Sequence, residues 1–335
     1  MKKTILVTGA GGYIGSVATY IFLQQGYSIV AVDNFTTGYR QPLDILQEKF
    51  GKEDLRVYET DIKQISSVFE KEQRIDIVVH YAASCLVDES VKNPYKYFDN
   101  NVGGTNSLLK AMTDARVTKL VFSSTCAVYG EAQYMPIDEK HPLHPSQPYG
   151  ASKQMAEELV QWYARLRGLQ YVILRYFNVC GASDDGLIGD SKKPSTLLMQ
   201  NVVRGALNIE PFSLTCPEVD TPDKTPIRDY VNVVDLNEAH LKALEYLMVN
   251  KSSEIINLGT GTGNSVLEIV NKVKEITNAA FAVGKTAPRE GDDAKKIADI
   301  TKAKRVLGWE PKRSIADSVN ALIKWYTACP QGWGR

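Results

Sequence analysis

Tyr149 and Lys153 stand four residues apart in Pro148-Tyr149-Gly150-Ala151-Ser152-Lys153. On a helix this spacing puts both side chains on one face. A fixed ammonium beside a phenol favours the phenolate. An unperturbed tyrosine titrates near ~10, so it needs that help to take a proton at neutral pH. Ser123-Ser124-Thr125 closes an apolar run upstream. A hydroxyl there has two readings: a bridge between Tyr149 and a substrate hydroxyl, or a plain polar strand end.

Gly9, Gly12 and Gly15 fit the pattern G-x-x-G-x-x-G, with Gly11 inside the turn. Such glycines let the backbone approach a pyrophosphate, which then sits at the start of the following helix. The turn follows an apolar run, and an acidic residue, Asp33, ends the next one. That context reads as a dinucleotide site. Asp33 is placed to take ribose hydroxyls and to repel a 2′-phosphate, so NAD is expected over NADP. Asp61-Ile62 follows a third apolar run, where Asp61 is either an adenine contact or a helix cap.

A scaffold must bring these residues together. Residues 4–8 read as a buried strand, and 16–25 as a helix stopped by Gly26. Further strands are expected at 28–33, 55–59, 75–81, 119–123 and 171–175, with helices at 65–71, 94–116 and 149–167. Within 94–116, Tyr97, Asn101, Leu108, Leu109 and Met112 read as packing. The alternation predicts an α/β fold, a Rossmann-type doubly wound parallel sheet with helices on both faces. After Asn178 the rhythm changes: 181–194 reads as a loop, 196–207 and 265–277 as helices, and 255–257 as a strand. The expected domains are 1–178 for the dinucleotide and a smaller α/β lobe, 179–335, for substrate, some of its segments packing back on the first.

A chain of 335 residues exceeds what one small core needs. With 44% hydrophobic and 23% charged residues it has an ordinary soluble composition. Lys+Arg and Asp+Glu both number 39, which argues against nucleic acid as a partner of the whole surface. The opening apolar run is too short for a signal, and no stretch approaches a membrane span. The cysteines Cys85, Cys126, Cys180, Cys216 and Cys329 are scattered without metal-ligand spacing. They read as reduced thiols of a cytoplasmic protein. His80, His141, His144 and His240 form no ligand array and read as structural, so no metal is expected.

Further anchors add specificity: Val7-Thr8-Gly9-Ala10-Gly11-Gly12-Tyr13-Ile14-Gly15, Glu89-Ser90-Val91, Asn100-Asn101-Val102, Val128-Tyr129-Gly130, Leu174-Arg175-Tyr176-Phe177-Asn178, Arg228-Asp229-Tyr230, Asn257-Leu258-Gly259 and Gly308-Trp309. On these the sequence resembles the extended short-chain dehydrogenase/reductase superfamily and, within it, the UDP-glucose 4-epimerase family, almost from end to end. The resemblance implies reversible 4-epimerisation of a UDP-hexose through transient oxidation at C4 by tightly bound NAD. Tyr149 would be the base, with Lys153 and Thr125 beside it. Cofactor contacts are implied for Tyr13, Ile14, Asp33, Asn34, Phe35, Thr36, Thr37, Gly38, Asp61 and Ile62, and for Tyr81, Ala82, Ala83, Ser84, Cys85, Asn100, Thr125, Tyr149, Lys153 and Phe177. UDP-sugar contacts are implied for Asn178, Thr196, Leu197, Arg228, Arg289 and Asp292. It also implies a homodimer paired through the helices expected at 94–116 and 149–167, with Leu109, Met112 and Trp162 as surface candidates.

The chain departs from the family pattern in places. Cys85 stands where some members carry a lysine, Thr196 where Asn or His is usual, and Thr215 at an often aromatic position. Lys224 replaces a glycine, and Asn232 a histidine. Lys296, four beyond Asp292, falls at a pocket-wall position that governs acceptance of N-acetyl sugars. Its long stem can send the ammonium to solvent. UDP-glucose and UDP-galactose are the expected substrates, with UDP-N-acetylglucosamine or a UDP-pentose as alternatives. A nucleotide-sugar dehydratase or decarboxylase needs a carboxylate just after the strand hydroxyl, where this chain has Cys126-Ala127. A non-catalytic NAD-binding regulator would not need both Tyr149 and Lys153.

Overall fold

The structure, a computed structural model, describes residues 2–193, 195–250, 252–286 and 293–334. Its central strands are β1 (Thr4–Thr8), β2 (Ser28–Asp33), β3 (Leu55–Glu59), β4 (Ile77–His80), β5 (Lys119–Thr125) and β6 (Gln170–Tyr176). β1 and β4 are buried along their whole length. Unbroken apolar runs of this kind suit parallel strands covered on both faces. The sheet order is Glu254–Leu258, β6, β5, β4, β1, β2, β3, and each pairing from β3 to β6 is parallel. The strand order therefore reverses between β1 and β4. Their carboxyl ends flank the crevice where ligands bind in doubly wound sheets.

Helices α1 (Tyr13–Gln24), α2 (Gln41–Phe50), α3 (Ser66–Lys71), α4 (Val87–Lys92), α5 (Pro94–Tyr97), α6 (Gly104–Asp114) and α7 (Pro148–Arg167) cover the sheet. The single helix expected over 94–116 is broken: a π-helical turn, Phe98–Gly103, separates α5 from α6. Such turns recur at functional sites. On α7 the buried residues are Gly150, Ser152, Lys153, Ala156, Glu157 and Val160, one stripe at helical spacing. Two of them, Lys153 and Glu157, belong to types almost never buried unless paired.

One core cluster packs Leu6, Val30, Val78, Leu120 and Phe122 of the sheet with Leu108, Leu109 and Met112 of α6 and Ala156 and Val160 of α7. Leu109 and Met112 are thus core residues, at 1% and 0% exposure, and not the outward surface expected of them. Their face of α6 is the one that turns to the sheet. Trp162 is exposed, at 54%.

The chain divides into two compact units, Met1–Glu131 with Pro142–Tyr176 and Asn237–Ile256, and Ala132–His141 with Phe177–Leu236 and Asn257–Arg335. The sequence expectation was a boundary near 178, with some later segments packing back on the first domain. In the structure the chain passes between the units several times: residues 132–141 belong to the second, and most of the helix Val233–Val249 belongs to the first. Within the second unit, Asn178–Cys180 pairs with Tyr230–Asn232. Ile227–Arg228 lies between Asn264–Ser265 and Lys295–Lys296. The second core gathers Met199, Val202, Val273, Leu322, Trp325 and Tyr326. None of the five cysteines forms a disulfide. No helix among the described residues is long and apolar enough to cross a membrane.

Candidate active site

Gly9 follows β1 at φ 69°, in the left-handed region, and a Cβ there would lie 2.6 Å from Ala82 N. A Cβ on Gly15 would lie 2.1 Å from Gly9 O. Neither position accepts a side chain, so the chain stays close at the switch point. The N-cap of α1 is Gly12, with no side-chain cap and no acidic residue in the first turn, where Tyr13 and Ile14 lie. That helix end suits an anion.

Asp33 ends β2. Its Oδ2 accepts the Gly11 N–H at 2.9 Å and its Oδ1 the Phe35 N–H at 2.8 Å. Burial pushes its carboxyl up, and hydrogen bonds from Phe35, Gly11 and Asn34 pull the other way. Each carboxylate oxygen keeps a further acceptor site for a hydroxyl. Gly38 packs close: a Cβ there would lie 3.0 Å from Asp33 Oδ1. Asn34 accepts Thr36 N–H at 3.2 Å and donates to Asp61 Oδ2 at 2.9 Å. Asp61 Oδ1 accepts Lys63 N–H at 2.9 Å, capping the short 3-10 helix Ile62–Gln64. Of the two readings of Asp61, capping is thus in place. A crowded glycine cradle, an uncapped helix start and a half-buried carboxylate with spare acceptors together fit a dinucleotide.

Thr125 ends β5, and Tyr149 opens α7. The Thr125 hydroxyl lies close enough to the Tyr149 phenol to influence its ionisation. Burial pushes the Tyr149 phenol well up, the Cys85 and Cys126 thiols add to this, and the Thr125 hydroxyl opposes them. The expected net lowering by Lys153 is therefore not what the protein alone presents. The cost of removing a phenolate from water is the largest influence on this phenol. Lys153 is 3% exposed, with its ammonium 4.3 Å from the centre of the Phe122 ring. Burial pushes its amine down to about 8, against the opposing influence of Glu157 and Cys85.

Residues read from sequence as packing turn out to hold this centre. The Tyr97 ring meets that of Tyr149 edge-on, with centroids 6.3 Å apart. Tyr97 Oη accepts Leu86 N–H at 3.0 Å and lies 2.8 Å from Glu89 Oε2. Asn101, in the π-helical turn, accepts Ser84 N–H at 2.8 Å, donates to Ser84 O at 3.0 Å and donates to Ser152 Oγ at 3.0 Å. It also accepts from Asn100 at 3.1 Å. Nothing in periodicity signals these roles, because they depend on the broken helix. Nearby, Tyr81 Oη donates to Asn237 Oδ1 at 2.9 Å, and Ala82 N–H donates to Thr8 Oγ1 at 3.3 Å.

In the second unit, Phe177 N–H donates to Leu258 O at 3.0 Å and Asn178 N–H to Asp229 O at 2.9 Å. Thr196 and Leu197 directly precede the helix Leu198–Ala206. Arg228 and Lys296 are register partners on neighbouring strands. Lys296 forms an ion pair with Asp293, so its ammonium is tied to the protein and not turned out to solvent as the sequence reading allowed. Asp229 accepts from Thr260 N at 2.7 Å, Gly261 N at 3.0 Å and Ala298 N at 3.2 Å, a structural task. Two departures find physical accounts. Lys224 adopts φ 64°, a left-handed conformation that a glycine takes without strain. Asn232 accepts Val234 N–H at 2.7 Å and donates to Ser318 Oγ at 2.9 Å. Arg289 and Asp292 lie outside the described residues.

A doubly wound sheet with a dinucleotide cradle at its switch point and a Tyr–Lys helix beside a strand-end hydroxyl defines a nucleotide-cofactor-dependent α/β enzyme. The family model described as the NAD dependent epimerase/dehydratase family matches residues 5–259, and the chain belongs to that family. It is 42% identical over 331 residues to the UDP-glucose 4-epimerase of Lactobacillus helveticus, covering 98% of each chain. A solved UDP-glucose 4-epimerase superposes with a TM-score of 0.92 at 37% identity, covering 99% of this chain and 100% of that one. Another, from Bifidobacterium longum in complex with NAD+ and UDP, superposes with a TM-score of 0.93 at 33% identity, with 99% and 100% covered.

Proposed function

We infer that this protein is an NAD-dependent 4-epimerase that interconverts UDP-glucose and UDP-galactose. The observation that carries the chemistry is the half-buried Tyr149 phenol beside the Thr125 hydroxyl, with Lys153 one turn further along the same helix. Gly9, Gly12, Tyr13, Ile14 and Gly15 would hold the cofactor's pyrophosphate, Asp33 a ribose, and Ser84 and Asn100 the nicotinamide end. When bound, NAD would supply the hydride acceptor and donor for transient oxidation at sugar C4.

The chain's own residues manage the proton and the orientation. Thr125 and Tyr149 hold the 4-hydroxyl, and Tyr149 Oη takes its proton and later gives one back. Lys153 fixes positive charge near the phenol. Asn178, Thr196, Leu197 and Arg228 would hold the UDP moiety, since a guanidinium matches phosphate geometry. Cys126 and Ala127 follow Thr125 in a short 3-10 turn, which offers no carboxylate for dehydration at C5 or C6.

The protein is proposed to work in the cytoplasm as a homodimer. Val91, Tyr95, Met155, Trp162 and Leu166, on or beside α4, α5 and α7, are exposed apolar side chains that suit a second copy. Light scattering at micromolar concentration tests this, and a 37.2 kDa species alone contradicts it.

The deciding experiment is a product assay across UDP-sugars with wild type and Tyr149→Phe. The variant should retain NAD and lose about 10²–10⁴-fold in turnover, the usual worth of a general acid–base group. Wild-type turnover by Tyr149→Phe sinks the assignment of the base. No interconversion of UDP-glucose and UDP-galactose by the wild type sinks the function.

A further inference from the structure

Behind the acid–base pair lies a second buried ionic group. Glu157 is on α7, one turn beyond Lys153, and is 1% exposed. Arg175 on β6 is 2% exposed. Arg175 Nη2 donates to Glu157 Oε2 at 2.6 Å and its Nε to Oε1 at 3.0 Å, a bidentate pair. Ser124 Oγ on β5 also donates to Glu157 Oε1. Arg175 Nη1 donates to Tyr129 Oη at 3.0 Å, with the guanidinium 5.0 Å from the centre of the Tyr129 ring. Ser124 directly precedes Thr125. The carboxylate thus ties helix α7 to the two strands β5 and β6, beside the residue that meets Tyr149.

Stability alone is a weak reason for such a pair. Two desolvated charges commonly gain little over apolar residues of the same shape, whereas removing one partner leaves the other charge stranded. The location supplies the reason. Lys153 is buried and carries charge. The groups that face it are Tyr149 and Glu157 on its own helix, His80 on β4, the Phe122 ring on β5, and Cys85 in the segment after β4. Of these, only Glu157 is an acidic side chain held in an ion pair.

We propose that Glu157, clamped by Arg175 and Ser124, is a positioning residue for the epimerase reaction: it fixes α7 against the strand end carrying Thr125 and sets a buried negative charge one turn from the Lys153 ammonium. The inference rests on the reading of Tyr149 and Lys153 as the acid–base pair. Burial drives the Lys153 amine down, and Glu157 is the first-named influence opposing it. Without Glu157 the ammonium loses its proton at lower pH, and turnover falls on the alkaline side.

The test uses the purified holoenzyme with Glu157→Gln, Glu157→Asp and the double variant Glu157→Gln/Arg175→Met. The double variant leaves no stranded charge, so it reports even where Glu157→Gln alone fails to fold. The profile of kcat against pH, KM for UDP-galactose, NAD content and Tm are measured for each. Glu157→Gln should lower kcat about tenfold at pH 8 with KM within about twofold, and move the alkaline limb down by about one pH unit. The double variant should show the same displaced limb. Glu157→Asp keeps the charge and should restore the limb to its wild-type position. A limb unmoved in the Gln-containing variants that fold overturns the proposal. So does a limb displaced equally in Glu157→Asp, which marks a packing role. Tyr149→Phe run alongside separates the cases: normal turnover there refutes the acid–base reading, while loss there with an unmoved limb refutes only the role of Glu157.

Discussion

Asn101 Nδ2 donates to Ser152 Oγ at 3.0 Å, and Ser152 Oγ donates to Tyr149 O at 2.8 Å, so the π-helical turn is bonded to the first turn of the helix that presents the phenol. The same Asn101 grips the backbone of Ser84 through both its N–H and its carbonyl. One side chain therefore joins the segment after β4, the irregular turn and α7. All three elements border the proposed nicotinamide end.

Asn101→Ala removes these bonds and leaves the Ser84 amide and carbonyl without their partner. An abandoned buried polar group costs about 1–3 kcal/mol. The expected outcome is a matching loss in urea stability, together with a fall in kcat larger than the change in KM. Equilibrium unfolding and steady-state kinetics read the two effects separately. Wild-type kcat in a destabilised variant would show that Asn101 supports the fold but not the alignment of Tyr149.

Cofactor choice turns on Asp33. Its half-buried carboxylate at the end of β2 has acceptor capacity left for hydroxyls and negative charge set against a phosphate. The protein should therefore purify with NAD, and acid-released cofactor identified by mass spectrometry should contain no NADP. Asp33→Gly should weaken NAD retention about ten- to hundredfold, the worth of a hydrogen bond to a charged group. Recovery of NADP from the wild type would reverse the assignment.

Acid sensitivity should carry the mark of His80. Thr105 Oγ1 donates to Asn101 O, so it accepts from His80 Nε2, and Thr8 Oγ1 donates to Nδ1 at 2.7 Å. This network holds a neutral ring. Burial, with the Lys153 charge behind it, pushes the imidazole down to about 3. The unfolded chain titrates near ~6.5. Below that pH the unfolded state gains a proton that the folded state refuses, so stability falls as pH drops from about 6.5 towards about 3. Near pH 5 the loss should reach about 2 kcal/mol relative to pH 7. His80→Gln should lose about that much less over the same interval, with protein and NAD concentrations held fixed. Identical pH slopes for variant and wild type would contradict the buried neutral ring.

The sheet and the dinucleotide turn were legible because their signals are local. β1 is an apolar pentapeptide followed at once by glycines, and parallel strands buried on both faces announce themselves by composition. Tyr149 and Lys153 were legible for the same reason, being four apart on one helix. Helix α6 was misread at its surface because the break at Phe98–Gly103 changes the phase of its faces, turning Leu109 and Met112 into the core. Glu157 and Arg175 escaped notice because they meet across a helix and a strand, which no single periodicity records. Helix α2 was also missed, and the sequence did not say which of the segments expected to pack back on the first domain would do so. α2 mixes polar and apolar residues, and the packing back is a tertiary event.

Substrate breadth is tested at Lys296. The resemblance implies a pocket-wall position here, where a small residue would go with acceptance of N-acetyl sugars and a bulky one with rejection. Lys296 lies beside Arg228 in register, only 16% of its side chain is exposed, and its ammonium is held by Asp293. A tethered stem acts as a fixed wall, where a lysine free to swing outward would yield. The wild type should therefore prefer UDP-galactose over UDP-N-acetylgalactosamine in kcat/KM. Wall discrimination is worth about 1–3 kcal/mol, so low activity on the N-acetyl sugar is expected as well. Lys296→Ser shortens the side chain and releases Asp293, and it should narrow the ratio of the two kcat/KM values by about tenfold or more. Equal kcat/KM on the wild type would overturn the preference for the plain hexoses. An unchanged ratio in Lys296→Ser would remove this residue from the sugar pocket and shift attention to other residues of the second unit.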